Sequence, residues 1–378
     1  MQSIFVLVIA LAAALQRDGQ STLLLAPEGP HAVGFWETSI VSDRTDSLAG
    51  DPPVRRELLL QVWYPAQTGG EPKPYVSART ANALTTLGLP AGLDRFRSHA
   101  ARSATPIPGA LPLVLMSHGL SWPALLYQSL TEDLASRGYV VAAVTHPHGA
   151  AITEYPDGRT IDMSRWPKID DETAIEKHLI DQSAVWATDL KEALNEAHAW
   201  TPSRGPVTLR IDPTRVALVG HSLGGTAAAQ ALDDPRVRAA VALEGKARRA
   251  DGTRQPLTKP FMHIVGGYNR LELEGNQYEP APNVPLYEVI VNGAGHAYFS
   301  DFILVYKPSA DSAWRERHRY ELEPGRIITI TRDYIAAFLG RALDGKPHTL
   351  LEPVTRAGRA SGPRGSRYPE VELKIHVR

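Results

Sequence analysis

Short apolar runs of strand length alternate with helical stretches along most of this chain. The later runs carry few polar residues, which is typical of parallel strands buried on both faces. Strands that alternate with helices predict an α/β protein, here a mostly parallel sheet of about eight strands with helices on both faces. The eight candidate strands span 31–41, 56–65, 111–119, 139–147, 215–220, 239–245, 261–266 and 286–293.

The helical stretches lie between these runs. Apolar side chains recur at helical spacing over 176–200, and further helices are predicted near 124–137, 226–232 and 325–344. The first two strands follow each other without a helix and are predicted to pair antiparallel.

We assign residues 20–348 to one catalytic domain with two excursions. The first, 66–110, is rich in Pro, Gly, Ala and Thr and is predicted to hold one or two short helices; the second is 148–175. Residues 349–378 form a C-terminal extension. It ends in a strictly alternating stretch, 371–377, which predicts an added edge strand or hairpin arm.

The N-terminus predicts the location of the protein. Ile4 to Leu15 is an unbroken apolar run of twelve residues, too short for a membrane span, which needs about 20. It suits the core of a signal peptide, and Ala12 and Ala14 offer a small-x-small cleavage site. We therefore predict a signal peptide over 1–15 and a secreted or periplasmic protein; the alternative is a buried N-terminal strand or helix.

Charge and composition exclude several classes of partner. Lys and Arg number 40 and Asp and Glu 41, a formal charge of −1, so neither nucleic acid nor an anionic membrane is an expected partner. The chain has no cysteine, which excludes thiol nucleophiles and disulfides. No nucleotide-binding or zinc-protease motif occurs, and His146 and His148 lack an acidic partner at metal spacing. No metal or cofactor is expected.

The strongest chemical signal is Gly220-His221-Ser222-Leu223-Gly224, which lies between an apolar strand and a helix of small residues. In a G-x-S-x-G turn the serine backbone is strained, and only small residues two positions away avoid a clash. The serine hydroxyl then projects from the sheet at the start of a helix. This motif predicts Ser222 as a nucleophile on an α/β-hydrolase fold; the alternative is a glycine-rich turn with a spare serine.

A serine nucleophile needs a histidine base and an orienting acid, which follow it in this order in this fold. His296 lies in a glycine-rich loop after the last strand and is the predicted base, whereas His263 lies within an apolar strand and fits a core histidine. Glu244 ends the strand after the Ser222 helix and is the predicted acid. The alternative acids are Glu272 and Glu274, beyond a turn that has Asn269 where a carboxylate could stand.

The negative charge of a tetrahedral intermediate needs backbone N–H donors. Leu223, directly after the nucleophile, and Leu120, in the loop after the strand over 111–119, are the predicted donors. His118 in that loop is predicted to be a structural hydrogen-bonding residue, and so is Asp301, which follows the loop of His296.

With these residues in place, the chain resembles the secreted, plasma-type platelet-activating-factor acetylhydrolases, in their bacterial branch. The resemblance covers roughly residues 31–305 and favours Glu244 over Glu272, although the family pattern has Asp there. It rests on V-G-F (33–35), R-E-L…V-W-Y-P-A (56–66), P-L-V-L-M-S-H-G-L (112–120), L-A-S-R-G-Y-V-V-A-A-V-T-H (134–146), G-H-S-L-G-G (220–225) and G-H-A-Y-F-S-D-F (295–302).

The resemblance implies calcium-independent hydrolysis of short or truncated acyl chains from phospholipids, with transient contact with a lipid surface. Related proteins act on varied carboxylic esters, so fold and chemistry transfer better than substrate. The alternatives are a peptidase or acyltransferase on the same fold, or a binding protein without catalysis. The oligomeric state is not determined by the sequence.

Overall fold

The computed structural model describes most of the chain, with several short gaps. It covers residues 22–198, 200, 208–247, 253–254, 256–269, 278–305, 322–352, 355–356, 359–360 and 367–377. The predicted signal peptide over 1–15 lies outside these residues. Within them, no helix is both long enough and apolar enough to cross a membrane.

The strands of the described residues form one large sheet and three small two-stranded sheets. Their bounds are β1 Ala32–Thr45, β2 Arg55–Ala66, β3 Glu71–Pro74, β4 Arg97–Arg102, β5 Ala110–Ser117, β6 Val140–Thr145, β7 Ile152–Glu154, β8 Thr160–Asp162, β9 Arg210–His221, β10 Val237–Leu243, β11 Pro256–Leu257, β12 Phe261–Gly266, β13 Glu279–Pro280, β14 Leu286–Val291, β15 Thr355–Arg356, β16 Arg359–Ala360 and β17 Val371–His376.

The α-helices alternate with these strands, as the apolar pattern predicts. Their bounds are α1 Ala78–Leu84, α2 Gln128–Ser136, α3 Glu172–His198, α4 Leu223–Ala231, α5 Phe302–Val305 and α6 Pro324–Asp344. Short 3₁₀ helices join them at 85–87, 93–95, 124–127, 267–269, 296–299 and 349–351.

The large sheet has eleven strands in the order β17-β14-β12-β10-β9-β5-β6-β2-β1-β4-β3. Its six central strands, β14 to β6 in this order, are parallel. The β1–β2 pair is antiparallel, as predicted, and the alternating stretch at the C-terminus forms edge strand β17, antiparallel to β14. All eight predicted strands are present, so the predicted fold class is confirmed.

The prediction for 66–110 was incomplete, because this excursion adds two strands to the sheet as well as a helix. β4 pairs parallel with β1, and β3 pairs antiparallel with β4. Their sequences, R-S-H-A-A-R and E-P-K-P, have little of the β-branched and aromatic character that marks a strand. β4 forms a strand because β1 provides an edge to pair with, and β4 in turn provides the edge for β3.

Alternate residues of the central strands enter two separate cores, one on each face of the sheet. On β5, Leu113 and Leu115 pack on the side of α3 and α4. Val114 and Met116 pack on the side of α2 and α6. Burial on both faces explains the apolar runs. The polar loops that follow the parallel strands meet at the carboxyl edge of the sheet.

Candidate active site

Ser222 alone joins β9 to α4, in the sharp turn that the G-x-S-x-G spacing predicts. Its backbone has φ 52° and ψ −120°, a conformation that residues with side chains rarely adopt. A Cβ on Gly220 would lie 2.1 Å from the carbonyl oxygen of Gly224, and one on Gly224 would lie 2.4 Å from that of His118. Gly220 therefore lets β9 approach the start of α4 around Ser222, and Gly224 lets α4 approach the end of β5.

The structure brings the three predicted side chains together at the carboxyl edge of the sheet. His296, in the 3₁₀ helix after β14, has its Nε2 2.9 Å from Ser222 Oγ. Its Nδ1 lies 3.4 Å from Glu244 Oε2. The His296 side chain is 50% exposed, whereas that of Glu244 is only 4% exposed. A solvent-accessible imidazole therefore lies between a serine hydroxyl and a buried carboxylate.

Glu244 follows β10 directly and has a positive φ of 56°. Two groups from the end of β12 hold its carboxylate: the Gly266 backbone N–H donates to Oε1, and Asn269 Nδ2 donates to Oε2 at 2.6 Å. The sequence did not identify Asn269 as part of the site, although its turn was considered as a position for the acid. The alternative acids, Glu272 and Glu274, lie outside the described residues.

The predicted oxyanion donors Leu120 and Leu223 line one cavity with Ser222. Leu223 is the first residue of α4, and the first N–H groups of a helix have no intrahelical partner. The carbonyl oxygen of Gly119 is 2.7 Å from His118 Nδ1 and also accepts the Trp122 N–H. Because Gly119 C=O and Leu120 N–H belong to one trans peptide, holding the carbonyl turns that N–H to the opposite side.

The cavity beside Ser222 has a volume of about 170 Å³. The salt bridge between Lys246 and Glu176, 3.6 Å long, lies among its lining residues. His263 also lines it from β12, where the side chain is buried and burial lowers the pKa to about 4. The apolar residues that line the cavity are Leu120, Leu179, Ile180, Leu223 and Val265.

A second array of serine, histidine and carboxylate lies in the interior, here with Asp in place of Glu. His146 Nε2 is 2.8 Å from Ser117 Oγ, and its Nδ1 is 2.7 Å from Asp189 Oδ2. All three residues are fully buried, and Arg56 donates two hydrogen bonds to Asp189. Burial alone would raise the pKa of Asp189, but Arg56 and His146 hold that pKa well below its usual range.

The remaining polar residues that the sequence singled out have structural partners. His118 Nε2 accepts the His146 N–H, as expected of a structural residue, and Asp301 accepts the Ser129 N–H near the start of α2. His148 Nδ1 lies 3.1 Å from the carbonyl oxygen of Asp162. Across the described part of the chain, no three His, Asp or Glu side chains are grouped so as to hold a metal ion.

Comparison with known proteins shows which enzymes this chain is similar to. A family model described as platelet-activating factor acetylhydrolase, isoform II, matches residues 98–182. The platelet-activating factor acetylhydrolase of Gallus gallus is 23% identical over 376 residues, which cover 85% of this chain and 84% of that protein. The chain is an α/β-hydrolase related to the platelet-activating-factor acetylhydrolases.

Other matches differ in the length that they cover. The platelet-activating factor acetylhydrolases of Canis lupus familiaris and Bos taurus are each 28% identical over 153 residues, so the chain spans about a third of those relatives, 34% of each. A solved structure, a ferulic acid esterase from Streptomyces cinnamoneus, matches with a TM-score of 0.74 and 28% identity. It covers 94% of this chain and 99% of that chain, so the fold is shared over nearly the whole length.

Proposed function

We propose that this α/β-hydrolase cleaves carboxylic esters through an acyl-enzyme intermediate, with Ser222 as the nucleophile. One observation carries the proposal: Ser222 Oγ lies in a strained turn beside a cavity, 2.9 Å from His296 Nε2. A serine hydroxyl is a weak nucleophile at neutral pH, and a base at this distance activates it. The similarity to enzymes named acetylhydrolases and to an esterase supports the same reaction.

In the first half-reaction, Ser222 Oγ forms a bond to the carbonyl carbon of the ester while His296 Nε2 takes the hydroxyl proton. The Leu120 and Leu223 N–H groups donate to the oxyanion that forms. When the intermediate collapses, the C–O bond to the alcohol breaks and His296 returns the proton to the leaving oxygen. Water then attacks the acyl-enzyme by the same route, which releases the acid and restores Ser222.

Glu244 accepts the Nδ1–H of His296 in this mechanism. That hydrogen bond fixes the imidazole tautomer with its free lone pair toward Ser222, and the carboxylate stabilises the imidazolium. Gly266 and Asn269 hold the carboxylate in place. The 3.4 Å separation between Glu244 and His296 is of the kind that shortens when substrate binds.

For the substrate, we propose esters with short or truncated acyl chains, including phospholipids of the platelet-activating-factor type. The cavity of about 170 Å³ is below the roughly 300–1,000 Å³ of pockets that enclose larger ligands. The net charge of −1 neither attracts nor repels a zwitterionic lipid, which allows transient contact with its surface. The proposed steps need no calcium ion, because a side chain transfers the proton and backbone N–H groups stabilise the oxyanion.

The experiment is a hydrolysis panel with acyl chains from acetate to long fatty acids, one truncated-chain phospholipid and one feruloyl ester. We expect short acyl groups to be preferred and a chelator to have no effect. Ser222→Ala should reduce turnover by about a millionfold with the fold intact, while Ser164→Ala at an exposed position serves as the control. Full activity of Ser222→Ala would reject the mechanism, and a calcium requirement or a preference for long chains would reject the substrate.

Export is a further part of the proposal and rests on the apolar run from Ile4 to Leu15. A cleaved signal peptide would give mature protein that begins near Leu15. N-terminal sequencing of the protein from its native host tests this, and an intact Met1 in the cytosol would reject it.

A further inference from the structure

A chain of three hydrogen bonds links the loop after β5 to the loop after β14, passing through the residue before Ser222. The Gly119 N–H donates to Tyr127 Oη at 3.0 Å. Tyr127 Oη lies 2.8 Å from His221 Nδ1, and His221 Nε2 lies 2.8 Å from the carbonyl oxygen of His296.

The chemistry of the two ends fixes the direction of every bond in this chain. A backbone carbonyl can only accept a hydrogen bond. His221 Nε2 must therefore carry a proton and donate a hydrogen bond to the carbonyl oxygen of His296. Neutral His221 then has a lone pair on Nδ1, which accepts the Tyr127 hydroxyl proton. The Gly119 N–H can only donate, and it occupies a lone pair of the tyrosine oxygen. All three hydrogen bonds can therefore form at the same time, with a single placement of the protons.

The surroundings are built for this arrangement. Tyr127 and His221 are 1% and 2% exposed, and burial lowers the pKa of His221 to about 3, which keeps the ring neutral. A Cβ on Gly119 would lie 2.7 Å from His221 Nδ1 and 3.2 Å from Tyr127 Oη. Only glycine therefore lets the loop come close enough to donate.

We propose that Tyr127 and His221 are positioning residues that hold the Leu120 N–H and the His296 imidazole at a fixed distance from each other. This inference rests on the proposed function. The Leu120 N–H follows the anchored Gly119 by one residue, and the anchored carbonyl belongs to His296 itself. Oxyanion donor and base must act on the same substrate carbonyl, and a misplacement of about 1 Å reduces such a rate by about a hundredfold.

Tyr127→Phe tests the chain, because it removes one oxygen and two of the three bonds. We expect kcat for a short ester to fall by about 10- to 100-fold with KM changed less than about twofold, since geometry rather than binding is lost. Tyr64→Phe is the matched control. It removes a hydroxyl that is equally buried and donates one hydrogen bond to the Ala104 carbonyl, yet it should leave kcat unchanged.

Two variants of His221 separate positioning from simple packing. Gln places an amide N–H near the position of Nε2 and keeps a donor for the His296 carbonyl, whereas Leu offers none. We expect His221→Gln to retain at least about tenfold more activity than His221→Leu. Both residues act through the same series of hydrogen bonds. The kcat of the double variant Tyr127→Phe/His221→Gln should therefore lie within about twofold of the kcat of the slower single variant.

Three outcomes would overturn the proposal in an active wild-type enzyme: kcat unchanged in Tyr127→Phe, no difference between His221→Gln and His221→Leu, or effects that multiply in the double variant. A wild type that cleaves no ester would instead reject the proposed function. In that case ¹⁵N NMR of histidine-labelled protein tests the three hydrogen bonds independently of activity. A neutral His221 ring protonated at Nε2 at pH 5 supports it, and a charged or Nδ1-protonated ring overturns it.

Discussion

Asn269 Nδ2 lies 2.6 Å from Glu244 Oε2, whereas His296 Nδ1 lies 3.4 Å from the same oxygen. The amide and the imidazole thus share one carboxylate oxygen, and the amide is closer. The other oxygen accepts the Gly266 N–H. A glutamate side chain is longer and more flexible than an aspartate side chain, so these two donors restrict where its carboxylate can lie.

Asn269→Ala should therefore reduce turnover, because the variant loses the amide that holds the Glu244 carboxylate. A hydrogen bond to a charged group is worth about 1.5–3 kcal/mol, so we expect kcat to fall by roughly 10- to 100-fold with KM nearly unchanged. Steady-state kinetics on a short ester measure this, with Asn82→Ala on the exposed side of α1 as the control. Equal kcat values for the two variants would contradict the role of Asn269.

Glu244→Gln preserves the shape of the side chain but removes its charge. The amide cannot stabilise the imidazolium of His296, so turnover should fall by about ten-thousandfold, or less where water substitutes. If Glu244 is the acid, Glu272→Gln and Glu274→Gln should change turnover only a few-fold, because a carboxylate that does not orient the base contributes only a screened field. The reverse pattern would move the acid one strand along and leave Ser222 and His296 in their roles.

Gly224→Ala should damage both the fold and the activity. Its Cβ would lie 2.4 Å from the carbonyl oxygens of Ser117 and His118, and relief of such overpacking costs about 1–3 kcal/mol. Urea unfolding measures the loss. Gly340→Ala in α6 is the control, since a Cβ there meets nothing within 4 Å, and alanine should stabilise the helix by about 0.5–1 kcal/mol. Equal stability of both variants would reject the steric argument.

Acid should destabilise the protein through its buried histidines. Burial lowers the pKa of both His118 and His221 to about 3. Below the ordinary histidine pKa of about 6.5 the unfolded chain binds protons that the folded chain does not, so stability present above pH 6.5 is lost as the pH falls toward 3. Each group contributes up to about 1.4 kcal/mol per pH unit.

The measurement for these histidines is the free energy of unfolding in urea between pH 7 and pH 4. His221→Gln removes one of the two groups and should give a shallower decline than the wild type. An identical slope in the variant would show that His221 does not stay neutral in the folded state.

The sheet could be predicted wherever burial on both faces forces a strand to be apolar. β5 and the second half of β9, from Val216 on, are of this kind, because nearly all of their residues are buried and parallel strands covered on both faces are apolar throughout. β3 and β4 could not be predicted, since two prolines in one and charged residues in the other oppose strand formation. β4 forms a strand by pairing with β1, and β3 by pairing with β4; local sequence does not encode this pairing.

The same division applies to the site. Ser222 and His296 were predicted because strained turns and glycine-rich loops leave a local signature. Asn269, Tyr127 and His221 were not predicted, because they are singled out by hydrogen bonds to residues far away in the sequence.

The buried array of Ser117, His146 and Asp189 has shorter contacts, 2.8 and 2.7 Å, than the 2.9 and 3.4 Å of the candidate site. A search for hydrolases by interatomic distances alone would rank this inert array first. What separates the two is access, since Ser117 is fully buried whereas half of the His296 side chain is exposed. Enzyme discovery by geometric templates therefore gains from scoring exposure and backbone strain at the serine together with the distances.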